Sequence, residues 1–214
     1  DAISGKANIN YIEGQPIRIS DLDLSGADYG LTGKAVINGL EAGFLTRLDM
    51  ALTAADLSRF SALVGREIDG STALALKGTI TPLGGQFDLK ATGNAQDIKT
   101  GIAQADAVLA GLTQLSVEAQ RNENGTFLRD LVLENAALSL TGGAELRTDD
   151  SQVQADFKLN DLSLVVPQYD GPVTVSATAA QDTRGWSVDA VTDGPYGAAL
   201  TAKGLATGPN AALS

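Results

Sequence analysis

Residues 22–35 read LDLSGADYGLTGKA, and residues 131–144 return the phrase as LVLENAALSLTGGA. The copies share the pattern L-x-L-x-x-A-x-x-x-L-T-G-x-A at an offset of 109 residues. Shorter matches follow in the same order, and their offset falls to 101 residues further along the chain. Such self-similarity predicts an array of similar units, each contacting mainly its neighbours. We expect one β segment over 1–214, with two units at about 16–111 and 128–214.

Apolar and polar residues alternate along both units. The clearest runs are Val153, Ala155, Phe157 and Leu159, and then alternate residues over 173–179. Because successive strand residues point to opposite faces, a period of two predicts strands with one apolar and one polar face. Short Gly-, Asn- and Asp-rich turns separate the runs, which favours an antiparallel meander of about twelve strands.

Two stretches break the alternation. Residues 56–64 place apolar side chains at helical spacing, with Asp56 as the N-cap and Gly65 as the stop, so we predict a short helix there. The equivalent stretch 161–167 contains a proline and predicts a turn or a single helical turn. Residues 99–111 fit either a helix lying across an edge or an irregular connection.

Composition narrows the classes of function. The 214-residue chain has a formal net charge of −11 and contains neither cysteine nor histidine. The negative charge argues against a nucleic-acid partner, which needs a positive field. Without cysteine the chain cannot form disulfides or thiolate metal sites, and without histidine it lacks the commonest general base. No segment approaches the roughly 20 apolar residues of a membrane-spanning helix.

The candidate catalytic and metal-binding residues of the chain have simpler structural explanations. The pair Asp149-Asp150 lies in a T-D-D-S turn, and Ser58 and Ser61 have no base nearby in sequence. Residues 84–88 resemble a calcium-binding β-roll only faintly. We therefore expect no enzymatic activity, no cofactor and no bound metal.

A meander with one aliphatic face must cover or use that face. It can pack two sheets into a sandwich, close into a barrel, or curl into a trough lined by the apolar face. A repeat favours the trough, because a trough extends by adding units, while a sandwich with a dry core also fits the pattern. The interior is aliphatic, since only 5% of the residues are aromatic, and such a lining suits flexible alkyl chains.

The predicted fold class is therefore all-β: an elongated antiparallel meander curled into an open hydrophobic groove, in two tandem repeats with one or two short helices. The residues expected to line the groove are the large apolar side chains of the alternating runs: Leu22, Leu24, Leu48, Met50, Leu52, Leu74, Leu76, Phe87, Leu89, Leu115, Val117, Leu131, Leu133, Leu138, Leu140, Leu146, Val153, Phe157, Leu159, Val173, Val175 and Val188.

The repeated phrase resembles the TamB family, the inner-membrane subunits of the translocation and assembly module of Gram-negative bacteria. Three other passages are similar to TamB sequences of alphaproteobacteria: residues 55–63 (ADLSRFSAL), residues 101–109 (GIAQADAVL) and the hairpin 78–93. The resemblance extends over nearly the whole chain. Related phrases also occur in AsmA-like and bridge-type lipid-transfer proteins.

The resemblance implies a β-taco, an elongated sheet folded into a hydrophobic groove that crosses the periplasm. It implies a role in moving phospholipid between the inner and outer membranes, in assembling outer-membrane β-barrels and autotransporters, or in both. The chain would be an internal piece of an inner-membrane-anchored protein. Docking to a TamA-like protein of the Omp85 class would then fall to a C-terminal region that this chain lacks.

Two kinds of client fit a groove of this type. Phospholipid acyl chains match an aliphatic lining, whereas unfolded strands of outer-membrane proteins alternate apolar and polar residues and pair with an open sheet edge. We favour lipid, because the lining offers no obvious partners for a polar strand face. A surface adhesive or structural segment, folded as a sandwich or solenoid with a dry core, is the alternative function.

Overall fold

The computed structural model describes residues 3–148, 150–206 and 211–213, with the backbone alone at 206 and 211–213. Asp149 of the acidic pair and residues 207–210 and 214 of the second predicted unit lie outside this range. Fourteen strands form one sheet. Their bounds are β1 Ser4–Asn10, β2 Ile17–Ser25, β3 Tyr29–Ile37, β4 Thr46–Ala54, β5 Asp69–Thr81, β6 Gln86–Lys99, β7 Leu112–Asn122, β8 Gly125–Glu134, β9 Leu138–Leu146, β10 Gln152–Leu159, β11 Val173–Asp182, β12 Gly185–Asp193, β13 Ala199–Ala206 and β14 Ala211–Leu213.

Helical segments are few and short. Helix α1, Ser61–Val64, continues the 3-10 helix Leu57–Phe60, and helix α2 is Ala103–Val108. The other 3-10 helices are Leu40–Ala42, Leu162–Leu164 and Pro195–Gly197. The structure thus contains the helix predicted at 56–64, a single 3-10 turn within 161–167, and a helix in the stretch that the sequence left open.

The sheet is a simple meander in which each strand pairs antiparallel with the strands before and after it in sequence. The predicted all-β class, antiparallel meander and short helices are confirmed. The sheet is open, as predicted, but it is uncurled, so the apolar residues form one face of the sheet and not the inside of the predicted curled groove. The described residues also form a single layer, without the second sheet that a sandwich requires.

A single-layer sheet leaves more surface accessible to solvent than a compact fold does. The accessible surface is 13336 Å², whereas a compact protein of this mass exposes about 9,300 Å². Among the described residues only Ala54, Val108, Phe127, Leu138 and Leu159 are buried apolar residues. Most apolar side chains are therefore only partly covered by their cross-strand neighbours.

Three β-bulges interrupt the ladder, and an aspartate with positive φ lies at each. The φ values are 52° at Asp21 in β2, 52° at Asp97 in β6 and 49° at Asp130 in β8. At each of them the bulged strand advances by three residues while its partner strand advances by two. The extra residue resets the alternation, so that apolar residues three apart, such as Ile19 and Leu22, share a face. Asp21 and Asp130 are separated by the repeat offset of 109 residues.

We expect Asp130→Val to lower the free energy of unfolding by about 1–2 kcal/mol, because a β-branched side chain is strained in the left-handed region. Asp130→Gly is expected to leave it unchanged or slightly raised. Asp88→Val, in a regular part of β6 on the polar side, is the matched control. Urea unfolding followed by circular dichroism measures all three, and a valine variant as stable as the control would contradict the role of the bulge.

Successive connections alternate between the two long margins of the sheet. The helix margin holds the connections after β2, β4, β6, β8, β10 and β12, and therefore α1, α2 and all the 3-10 helices except Leu40–Ala42. The hairpin margin holds the other connections, including two-residue turns after β7 and β11. One margin is thus built up by short helices and the other consists mainly of hairpin turns.

Candidate functional site

The candidate site is the apolar face of the sheet, defined by the pairing register. Residues directly opposite each other in an antiparallel pair have side chains on the same face. Phe157 in β10 faces Leu140 in β9 and Val175 in β11, and the same relation continues from strand to strand across β2–β13. Every residue predicted to line the groove falls on this one face. That they line a ligand path stays a prediction.

Two rows of this face run across twelve strands without any polar side chain. The central row is Leu22, Gly33, Met50, Leu76, Ala91, Val117, Leu131, Gly142, Ala155, Ala177, Ala190 and Ala202. The row beside it, toward the hairpin margin, is Ile19, Ala35, Leu48, Gly78, Leu89, Ala119, Leu128, Ala144, Val153, Ala179, Val188 and Gly204. At roughly 4.8 Å per strand, each row is a continuous apolar path of about 53 Å.

The second half of the central row is made of small residues. Gly142, Ala155, Ala177 and Ala190 follow one another on β9–β12, beside the larger Leu140, Phe157 and Val175 on the helix-margin side. A row of glycine and alanine next to larger side chains forms a shallow furrow across the strands. The hollows of about 480 and 500 Å³ lie elsewhere, since polar-face residues such as Gln154, Lys34 and Lys77 bound them.

Several apolar-face residues escaped the sequence-based prediction. Ile37, Leu31, Ile80, Leu128 and Trp186 share the face with the predicted residues. The small residues of the rows were also missed, because alanine and glycine do not stand out in an alternating pattern. The signal for Leu128 was its spacing of three from Leu131, which the bulge at Asp130 converts into a shared face.

The helix margin closes one side of the apolar face. Buried Val108 of α2 packs with Leu138 and Leu159 at the strand ends, and Leu162 and Val165 join this cluster. At the equivalent place in the first half, the ring of Phe60 meets Tyr29 edge-on at 6.0 Å. Short helical segments therefore cover the strand ends along this margin, whereas the other margin has the single described 3-10 helix Leu40–Ala42.

The two 3-10 turns after β4 and β10 are capped in the same way. Asp56 accepts a hydrogen bond from the Ser58 backbone N–H at 2.8 Å, and Asp161 accepts one from the Ser163 backbone N–H at 3.0 Å. Hydrogen bonds from the side chain and backbone of Ser58 lower the pKa of Asp56. The backbone and side chain of Ser163 likewise lower the pKa of Asp161. Both carboxylates thus remain ionised acceptors down to lower pH than a free aspartate.

The opposite face is polar and carries cross-strand ion pairs. Asp49 lies 3.9 Å from Lys34 and 3.5 Å from Lys77, and Lys90 lies 2.6 Å from Glu118. Exposed pairs of this kind contribute little stability, but they fit a face that remains in water. The polarity of the two faces is therefore as different as the alternating sequence predicted.

The other candidate groups have structural roles. Ser58 belongs to the cap, and the Ser61 hydroxyl donates to the Ile68 carbonyl oxygen at 3.3 Å. The described residues contain no group of three acidic side chains placed to hold a metal ion. Among the same residues, no helix has the length and hydropathy needed to cross a membrane.

Fold and site together define an open, single-layer antiparallel β-sheet with one exposed apolar face, bordered by short helices on one margin. No protein-family model, curated protein or solved structure matches the chain. The function is therefore argued from the face itself.

Proposed function

We propose that the chain is part of a periplasmic conduit that moves phospholipid between the inner and outer membranes of a Gram-negative bacterium. The alkyl chains would lie on the apolar face while the head group stays in solvent. The observation that carries this proposal is the pair of adjacent rows, which cross twelve strands on β2–β13 without a polar side chain.

The energetic case rests on the cost of exposing alkyl groups to water. Exposure costs about 0.8 kcal/mol per methylene, so a chain of roughly sixteen carbons costs about 13 kcal/mol. An uninterrupted apolar path lowers that barrier at every step. A lining of small and aliphatic side chains suits sliding, since a deep pocket would hold a chain at one point and slow its passage.

A role in assembling outer-membrane β-barrels, autotransporters included, is the second candidate. It is favoured by β1, the edge strand, in which all seven residues are exposed and one side of the backbone has no neighbouring strand among the described residues. An unfolded client strand would pair with such an edge. Docking to a TamA-like partner would involve a region beyond this chain. The adhesive alternative needs a dry core, which the single described layer does not supply.

The first test is mass spectrometry of an organic extract from the chain purified without detergent from a bacterial host. We expect phospholipid in a reproducible ratio to protein. A clean extract from a folded, soluble protein would count against lipid and favour strand clients, which photo-crosslinking at β1 in the presence of an unfolded outer-membrane protein would then detect.

A further inference from the structure

One charged residue stands out on the apolar face. Arg121, near the end of β7, pairs with Phe87 in β6 and Thr126 in β8, so it continues the apolar series of Leu115, Val117 and Ala119. Among the described strand positions of this face on β2–β13, it is the only charged side chain. The face is otherwise built from apolar, glycine, hydroxyl and amide residues.

Arg121 has no partner within the part of the chain that the structure describes. It is exposed and forms no hydrogen bond or ion pair there. On the polar face, by contrast, Lys34, Lys77 and Lys90 each lie near a carboxylate. The guanidinium is therefore available to an external anion, and an arginine at such a position has an alkyl stem long enough to pack on the apolar surface.

Its position along β7 also fits an amphipathic ligand. Arg121 lies at the hairpin margin, and Thr113, at the helix-margin end of the same face, is eight residues away, or about 26 Å. The acyl layer of one membrane leaflet is roughly 15 Å thick. An acyl chain lying along the strand from Arg121 would therefore stay on the apolar face and end before the helix margin.

Carboxylates outnumber cations at both margins, and the excess is larger at the helix margin. At the helix margin carboxylates outnumber cations, which would repel an anionic head group: Asp28, Asp56, Glu67, Asp69, Asp97, Asp106, Glu134, Asp161, Asp170 and Asp193 stand against Arg59, Arg66, Lys99 and Lys158. The hairpin margin is nearly balanced, with the carboxylates Glu13, Glu41, Glu123, Glu145, Asp150 and Asp182 against the arginines Arg18, Arg47, Arg121, Arg147 and Arg184. Of these, Arg121 is on the apolar face.

We propose that Arg121 binds the phosphate of a phospholipid head group and so fixes which end of the lipid lies at the hairpin margin. This inference rests on the proposed lipid function. A guanidinium donates two parallel hydrogen bonds to phosphate oxygens. Once alkyl chains displace water from the neighbouring apolar rows, the local dielectric falls and the ion pair strengthens. The head group then remains at the margin that consists mainly of hairpin turns.

The test compares two lipids that differ only in the head group. Fluorescent phosphatidylglycerol and fluorescent diacylglycerol with the same chains are titrated with the whole chain, its Arg121→Gln and Arg121→Lys variants, and the control Arg47→Gln. Arg47 lies near the same margin on the polar face. We expect Arg121→Gln to weaken phosphatidylglycerol binding by about 3- to 10-fold and to leave diacylglycerol binding unchanged. Lysine should recover part of the loss, and Arg47→Gln should have no effect.

Other outcomes separate the two proposals. If both lipids bind but Arg121→Gln changes neither affinity, or weakens both equally, the head-group role is overturned and the apolar face remains a lipid site. An equal loss of phosphatidylglycerol binding in Arg47→Gln would likewise overturn it, since general charge attraction would then suffice. If neither lipid binds the unmodified chain, the proposed function fails and this inference fails with it.

Discussion

Replacing Gly78 with alanine is expected to produce the largest loss of stability in the sheet. Gly78 lies in the middle of β5, opposite Leu48 and Leu89, with φ of 142°. A Cβ added there would lie 2.0 Å from the carbonyl oxygen of Asp88 and 2.9 Å from the Cα of Leu89. Both contacts are with backbone, so relief requires β5 and β6 to separate. We expect the free energy of unfolding to fall by about 3 kcal/mol or more, or soluble expression to be lost.

The matched control is Gly84→Ala, in the turn that joins the same two strands. A Cβ at Gly84 would meet only side-chain atoms at 3.5 Å or beyond, so this variant should be nearly as stable as the unmodified chain. Urea unfolding followed by far-ultraviolet circular dichroism reports on the whole sheet. Equal stability of the two alanine variants would mean that β5 and β6 do not approach as closely as the structure shows.

Val175→Asp is expected to abolish lipid recovery while the chain stays folded. Val175 is half-buried on the apolar face between Phe157 and Thr192. On an open face the new carboxylate remains hydrated, so the loss is limited to partial burial and strand propensity, about 1–2 kcal/mol. An alkyl chain crossing that position would instead have to desolvate a charge. The measurements are thermal unfolding and the ratio of phospholipid to protein in the organic extract.

Thr174→Asp provides the control, because it places the same charge one residue away on the polar face, between Lys158 on β10 and Asp193 on β12. It should keep both stability and bound lipid. An unfolded Val175→Asp variant would show that a further layer covers the face, since burying an unpaired carboxylate costs several kcal/mol. A folded Val175→Asp variant that retains its lipid would remove the apolar face from the proposed function.

Much of the local structure could be predicted from sequence. Strict alternation in β10 and β11 specified both the strands and the shared face of Phe157 and Val175, because side-chain direction in a strand follows from parity alone. The cap at Asp56 was also predicted, since a short acceptor before a helical turn satisfies free backbone N–H groups, whereas the cap at Asp161 was found only in the structure. The sequence suggested about twelve strands, and the structure has fourteen.

Register was harder to predict because of the bulges. A one-residue slip moves a whole strand to the other face, and the spacing of three between Ile19 and Leu22 resembles such a slip. The bulge at Asp21 makes the two residues share a face, and only the pairing with β3 shows this. Arg121 was overlooked for a related reason: its parity with Leu115 and Val117 was visible, but without a register its position on the apolar face was not.

The sequence by itself determined that this chain is an antiparallel β meander with one apolar and one polar face, because alternation and turn chemistry act over a few residues at a time. It did not determine what lies against the apolar face, since a curled trough, a sandwich and an open sheet share the same alternating pattern. Tertiary structure decided that the described strands form one open, uncurled layer, and that α1, α2 and all but one of the described 3-10 helices lie at one margin. Those outcomes depend on pairing between strands and on the alternate sides at which a meander turns, and they leave the apolar rows exposed with Arg121 at the hairpin margin.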